Sequence, residues 1–212
     1  MGCMLWIGGI SVVIVGMIFL IAPLVFGSRK NPDLVKAINN ARQIGIALFD
    51  FESKYGKFPD SSTVPAVQRD TGSTLTLPDR TSNDLFAQLI ASGIAPGEHM
   101  FYAKAEFMRR PDDIFHSDST ILEHGECAFA YISGLSYTGD PSRPIAFGPV
   151  IPGTATLDRK SCDGYAVVLR LDGSVSRYQI NSSGKIISNG FDLFDPRQPF
   201  WHGKAPDVKW PK

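Results

Sequence analysis

The stretch NPDLVKAINNARQIGIALFDFESKYGKFPD, residues 31–60, decides the architecture of this chain. Its apolar side chains recur at spacings of three and four residues, which is the period of one face of an α-helix. The members of this apolar stripe are Ala37, Ala41, Ile44, Leu48, Phe51 and Tyr55. The sequence therefore predicts an amphipathic stalk helix within residues 31–58, with its apolar face packed on a sheet.

Both ends of this helix carry start and stop signals. Asn31 suits the N-cap and Pro32 the first helical position, whereas Gly56 and Pro59 end the helix. We expect the face opposite the stripe to be polar and solvated. Its members are Lys36, Asn40, Gln43, Asp50 and Lys54.

Before the stalk, residues 3–28 (CMLWIGGISVVIVGMIFLIAPLVFGS) contain no charged side chain. About 20 helical residues span the hydrocarbon core of a bilayer, so residues 1–30 are predicted to form a transmembrane anchor. A cleaved signal peptide begins with a basic segment, and no Lys or Arg precedes Arg29. We therefore expect the anchor to be retained.

Several residues of this predicted anchor bear on its shape and packing. Pro23 should bend the membrane helix. Gly8, Gly9 and Gly16 are small enough to let another helix approach closely, although such residues are also ordinary in a single span.

After the stalk, residues 59–126 are predicted to be a variable loop region with one short helix near residues 84–92. Residues 127–212 are predicted to form an antiparallel sheet and a C-terminal tail. The expected strands are 127–132, 144–150, 165–171 and 174–180, with a weaker third-strand pattern at 185–187 and an extended tail from residue 195. The pair Asp172-Gly173, between two β-rich runs, indicates a hairpin.

Helices followed by strands indicate an α+β fold, with residues 31–212 as one globular domain. The predicted architecture is an N-terminal transmembrane helix and an amphipathic stalk helix packed on a small antiparallel β-sheet. The 21 basic residues balance the 21 acidic ones, which argues against a nucleic-acid partner.

No pattern in the sequence indicates catalysis or a cofactor. Nucleophile-elbow, His-Glu-x-x-His and phosphate-loop motifs are missing from it. His116 with Asp118, and His124 with Glu126, have residue types that bind metals, but we expect these four to be exposed polar loop residues. The sequence thus predicts a protein that is not an enzyme and has no catalytic residue, cofactor or metal site.

The order of elements and several motifs resemble the type IV pilin superfamily, in particular the pseudopilins of type II secretion. The resemblance is carried by Pro23 near the end of the apolar run and by the Tyr-Gly-x-Phe-Pro turn, residues 55–59. The stalk motif that supports it comprises Asn39, Asn40, Gln43, Ile44, Gly45, Tyr55, Gly56 and Pro59. The hairpin VVLRLDGSVSRY, residues 167–178, is also similar to one near the end of many pilin-like proteins.

This resemblance implies a non-catalytic, membrane-anchored subunit or accessory of a type II secretion or type IV pilus-like assembly. Its implied partners are membrane lipid, other pilin-like subunits and secretion-platform proteins. The alternative is a membrane-anchored extracytoplasmic binding module on a pilin-like scaffold.

The resemblance also implies a location. Arg29 and Lys30, taken alone, favour a cytoplasmic domain by the positive-inside rule. Pilin-like proteins instead have a cytoplasmic N-terminus, a single pass through the bacterial inner membrane and a periplasmic or extracytoplasmic domain. Cys127 and Cys162 could form a disulfide in such an oxidising compartment.

The chain departs from the family at its start. It begins MGCMLWIGG, with no basic leader and no Phe-Thr-Leu-Ile-Glu processing motif, and Trp6 falls where the family has glutamate. A non-processed accessory or diverged paralogue is thus expected as readily as a filament subunit. Some pseudopilins bind calcium in a C-terminal loop, but Asp192 and Asp195 are too sparse for that site to be expected here.

Overall fold

The structure is a computed structural model that describes residues 31–117 and 120–212. Residues 32–212 form one compact unit of class α+β. Its helices are α1 (Pro32–Tyr55), α2 (Val64–Thr71) and α3 (Ser82–Ala91). Its strands are β1 (Ala130–Ser133), β2 (Pro144–Gly148), β3 (Tyr165–Arg170), β4 (Val175–Gln179), β5 (Ile187–Ser188), β6 (Phe191–Asp192) and β7 (Asp207–Lys209).

Five strands form one antiparallel sheet in the order β4-β3-β2-β1-β7. β5 and β6 pair with each other in a separate two-stranded ribbon. The weak strand pattern at 185–187 therefore belongs to this ribbon rather than to the main sheet. The tail, expected to be extended chain over the core, supplies β7 as an edge strand beside β1.

The helix α1 confirms the stripe predicted from the sequence. Five of the six stripe residues are at most 5 % exposed, and Tyr55 is half-buried. Gly45 faces the sheet so closely that an added Cβ would lie 3.0 Å from Leu169 Cδ1. The missing side chain at Gly45 therefore lets α1 approach β3.

One assignment on the polar face was wrong. Asn40 is buried rather than solvated, because its Nδ2 donates hydrogen bonds to the carbonyl oxygens of His99 at 3.0 Å and Tyr102 at 2.7 Å. A buried amide is stable only when its polar atoms are paired, and these two carbonyls supply that pairing. Asn40 thus fastens the segment after α3 to the middle of α1.

The loop region 59–126 contains more helix than the sequence predicted. The helix α2 was missed because VPAVQRDT is short and half polar, with one fully buried residue, Val67. The helix α3 begins two residues earlier than predicted: Thr81 is its N-cap, and Asp84 completes a capping box with it.

The sheet is covered on both faces, so strands β1 to β3 are buried almost throughout. We call the core between the sheet and the helices the helix-side cluster; its main members are Leu48, Phe51, Phe86, Leu89, Phe101, Phe129, Tyr131, Val167 and Leu169. We call the core on the opposite face the tail-side cluster; it comprises Ala130, Ile132, Phe147, Val150, Leu157, Ala166, Val168, Ile180, Ile186, Leu193 and Trp201.

The predicted hairpin is present between β3 and β4, with a longer connection than a two-residue turn. The amide of Gly173 donates to the carbonyl of Arg170, and the amide of Arg170 donates to the carbonyl of Ser174. Gly173 has φ +77°, a left-handed conformation that glycine adopts without steric cost. The Asp172 carboxylate accepts the amide of Ser174 at 2.8 Å and fixes the turn.

The membrane helix in the predicted architecture requires correction. In residues 31–117 and 120–212, no helix has both the length and the apolar content of a membrane span. The longest, α1, has 24 residues but carries charged side chains such as Asp33, Arg42 and Lys54 along its length. The predicted anchor, residues 1–30, lies outside the described residues, and so do Gly8, Gly9, Gly16 and Pro23.

Candidate functional site

The residues of the stalk motif hold the domain together rather than forming one surface patch. Ile44 and Gly45 are buried against the sheet, and Asn40 anchors the segment at residues 99–102. The hydroxyl of Tyr55 donates to Asp70 at 2.8 Å, and the carbonyl of Pro59 accepts the Tyr131 hydroxyl at 3.2 Å. Most of this motif therefore has a structural role in joining α1 to its surroundings.

Among the motif residues within α1, Asn39 and Gln43 differ from this pattern, because both are exposed on the outer face of the helix. The same face exposes two apolar side chains, Val35 at 38 % and Ile46 at 63 %. Single exposed apolar residues are ordinary on a protein surface, whereas a contiguous apolar patch marks a contact with another protein.

A shallow apolar pocket of 240 Å³ adjoins Ile46. It lies between α1 and the segment that follows α3, and it is lined by Gln43, Ile46, Ala47, Asp50, Ile94, Pro96 and Met100. An apolar side chain beside a pocket rimmed by polar groups is a common arrangement in protein interfaces. We call Val35, Ile46 and this pocket the outer α1 surface.

A second pocket, of 530 Å³, lies near the beginning of α1 and is rich in basic groups. Its lining residues are Asp33, Lys36, His99, Tyr102, Lys104, Arg110 and Pro111. The ammonium of Lys104 pairs with Asp33 at 3.0 Å, and that of Lys36 lies 5.0 Å from the centre of the Tyr102 ring. The side chains of Lys36, Lys104 and Arg110 give this pocket an excess of positive charge.

Buried carboxylates lie where three segments meet. Glu98 accepts the amide of Leu122 at 2.9 Å with Oε1 and the amide of Asp113 at 3.0 Å with Oε2. Glu126 accepts the amide of Glu123 at 2.7 Å with Oε2. Both side chains are completely covered. The expectation that Glu126 is an exposed loop residue was therefore wrong, because its carboxylate is turned inward to close the turn 123–126.

This environment alters the acidity of both groups. Burial raises the pKa of Glu126 to about 6, and the nearby carboxylates of Glu98 and Asp112 contribute to the rise. Burial also raises the pKa of Glu98, although its two backbone hydrogen bonds oppose the shift. Hydrogen bonds that favour the charged form thus only partly offset the loss of hydration.

The predicted disulfide is not formed, since Cys127 and Cys162 are both buried free thiols. Their surroundings differ: Cys127 Sγ lies 3.3 Å from the carbonyl of Phe129 and 3.8 Å from Ser82 Oγ. Cys162 lies in a one-turn 3₁₀ helix just before β3. Burial raises the pKa of each thiol to about 12, so both are protonated at neutral pH.

Neither histidine of the two pairs with metal-binding residue types joins the carboxylate cluster found among the described residues. His116 and His124 are exposed, as expected for polar loop residues, and Asp118 lies outside the described residues. Sequence reasoning missed Glu98 altogether. No sequence signal links it to Glu126, which lies 28 positions further along the chain, because only the folded loops bring the two together.

Comparison with known proteins yields no match for this chain, whether against the profiles of protein families, the curated proteins or the solved structures.

Proposed function

We propose that this chain is a non-catalytic, pilin-like subunit or accessory of a type II secretion or type IV pilus-like assembly. The observation that carries the proposal is the outer α1 surface. A 24-residue helix packs one face on an antiparallel sheet and leaves Val35 and Ile46 exposed on the other. We propose an extracytoplasmic location for the domain, at the inner membrane of a bacterium, with other pilin-like subunits or platform proteins as partners.

The state of the thiols supports a non-catalytic role. A nucleophilic cysteine needs a thiolate, which a lowered pKa supplies. Cys127 and Cys162 have the opposite property, with pKa values raised to about 12 by burial. Neither thiol is therefore equipped for nucleophilic attack at neutral pH.

The test is photo-crosslinking in intact cells, with a photoactivatable benzophenone residue in place of Ile46 in the full-length chain. The matched control carries the same residue in place of Ile187, which is 49 % exposed and belongs to the two-stranded ribbon. We expect adducts with pilin-like subunits or secretion-platform proteins from position 46 and none from position 187. Monomer alone at both positions, or equal labelling of unrelated envelope proteins, would overturn the proposal.

The second candidate, an extracytoplasmic binding module, is favoured by the basic pocket near the beginning of α1. Lys36, Lys104 and Arg110 around a 530 Å³ cavity suit an anionic ligand. Inorganic phosphate is a direct probe: chemical shifts of the amides at 99–104 should change on titration in the unmodified chain and not in Arg110→Gln. Saturable phosphate binding, with no crosslinks from position 46, would favour this candidate over the first.

A further inference from the structure

Three carboxylates converge at a place where the protein is largely closed to solvent. One oxygen each from Glu98, Asp112 and Glu126 lies within 4.8 Å of the other two. Glu98 and Glu126 are fully buried, whereas Asp112 is exposed. Carboxylates at this distance repel one another strongly unless a proton or a cation lies between them. The cluster therefore requires a positive partner.

One oxygen of the Glu126 carboxylate lacks such a partner in the hydrogen-bond network of residues 31–117 and 120–212. Glu126 Oε1 is buried and has no hydrogen-bond partner among the described residues, although Oε2 of the same carboxylate is paired. A buried polar atom left without a partner destabilises the folded state, and more so when it is charged. Native structures keep such atoms rarely, and often because an ion or water pairs with them.

A basic side chain close to the cluster, Arg109, is engaged elsewhere. The guanidinium of Arg109 pairs with the Glu123 carboxylate at 2.6 Å. It lies close enough to Glu126 to oppose the rise of that residue's pKa, yet Glu126 Oε1 remains without a hydrogen bond. Arg109 therefore lessens the negative potential of the cluster without donating a hydrogen bond to Glu126 Oε1.

We propose that Glu98, Asp112 and Glu126 form a binding site for a calcium ion. The three donors are carboxylate oxygens, which are the ligands that hard divalent cations prefer. Oxygens that all lie within 4.8 Å of one another can bind one ion at the calcium–oxygen distance of about 2.3–2.6 Å, and calcium takes more protein oxygens than magnesium, which keeps several waters. The exposed Asp112 gives the ion a route from solvent, and water completes its coordination.

The backbone around the cluster holds these ligands in place. The hydrogen bonds that Glu98 and Glu126 accept fix their carboxylates, and each oxygen keeps a further lone pair for a cation. The amide of Arg109 also donates to the carbonyl of Gly125 at 2.8 Å, which joins two of the three segments. A bound ion would connect the 3₁₀ helix at Glu98–Phe101, the loop near Asp112 and the turn 123–126.

The experiment is isothermal titration calorimetry of CaCl2 into the full-length chain, stripped of metal with a chelator, at pH 7.5. We expect saturable binding with a Kd below about 1 mM, the weaker end of protein calcium sites. Glu126→Gln should weaken binding at least tenfold, because the amide cannot replace the lost charge. Glu106→Gln is the matched control, since that carboxylate pairs with Lys160 at 3.0 Å and lies outside the cluster.

Several results would overturn the calcium site. These are the absence of calcium binding in the unmodified chain, equal binding by Glu126→Gln, and binding of magnesium in place of calcium. The melting temperature gives a further check. If Glu126→Gln raises it by the same amount with and without CaCl2, the carboxylates share a proton rather than a calcium ion. If Glu126→Gln does not fold, Asp112→Asn removes an exposed ligand and must give the same tenfold loss. Calcium binding by this cluster does not depend on assembly with other subunits.

Discussion

The two faces of the five-stranded sheet are covered by different kinds of chain. On one face, the helix-side cluster is formed by α1 and α3, whose apolar residues follow a helical period. On the other, the tail-side cluster is closed by turns, the two-stranded ribbon and the 3₁₀ helix Pro199–Trp201. Both clusters bury large aromatic residues, so periodic structure is not needed to cover a sheet.

The two faces should differ in stability, which should be cooperative on the helix side and local on the tail side. The amides of α1 are hydrogen-bonded within one continuous helix, so the helix opens as a unit. Opening α1 therefore removes all its contacts with the sheet at once. The tail-side turns are held by separate contacts, such as the hydrogen bond from Trp201 Nε1 to the carbonyl of Leu193 at 2.8 Å. Segments of this kind open in smaller units.

The largest effect is expected on the helix side, from Phe86→Ala. The Phe86 ring is fully buried, stacks on Phe101 at 4.8 Å between centroids and meets Tyr131 edge-on at 5.4 Å. Loss of such a side chain costs about 3–5 kcal/mol. Urea unfolding followed by circular dichroism should show this loss, with a smaller one for Phe86→Leu. A change below about 1 kcal/mol would mean that this cluster is not the main core.

A comparable but more local loss is expected on the tail side, from Trp201→Ala. Trp201 is 3 % exposed, and its truncation should cost about 3 kcal/mol. Hydrogen exchange should show lost protection at residues 186–204, with the amides of α1 and β3 less affected. Equal loss of protection in α1 would contradict the proposed difference between the two faces.

An intermediate effect is expected from Asn40→Ala, which removes the anchor between α1 and residues 99–102. The carbonyls of His99 and Tyr102 lose their donor, at a cost of about 1–3 kcal/mol. Asn39→Ala is the control, because Asn39 is the exposed neighbour of Asn40. Its loss should change the free energy of unfolding by less than about 0.5 kcal/mol. Equal effects from the two variants would remove the special role of Asn40.

The smallest effect on stability is expected from exposed apolar residues on the two sides of the molecule. Ile46→Arg and Ile187→Arg should each change the free energy of unfolding by less than about 0.5 kcal/mol. For the crosslinking test, the photoactivatable residue replaces Val35 in each variant. Only Ile46→Arg should then abolish the crosslinks expected from α1. Loss of those crosslinks in both variants would show that the outer α1 surface is not the specific contact.

The helix side could largely be predicted from the sequence, because its information is local. The stripe from Ala37 to Phe51 repeats over four turns, and each repeat supports the same interpretation. Asn40 was assigned to the wrong environment because its partners, the carbonyls of residues 99 and 102, are about sixty positions away. Periodicity reports which face a residue occupies, not whether a distant loop will cover it.

The rest of the molecule depends on long-range contacts that leave little trace in the sequence. The helix α2 buries one residue completely, Val67, so its pattern is too weak to distinguish it from a loop. Glu98 and Glu126 look like ordinary loop acids until the segments that carry them meet. The disulfide prediction was wrong for the same reason, since cysteine positions alone do not reveal which neighbours each thiol has.

The pairing of β7 with β1 has a consequence for how the protein is made. Val208 lies opposite Ile132, and these partners leave the ribosome far apart in time. Strands β1 to β4 can assemble first, which leaves one edge of β1 with unpaired backbone groups until the tail is synthesised. Such an open edge is a template for intermolecular strand addition. During biosynthesis, the edge of β1 is therefore where a nascent chain is most exposed to aggregation and where a chaperone would have the most to protect.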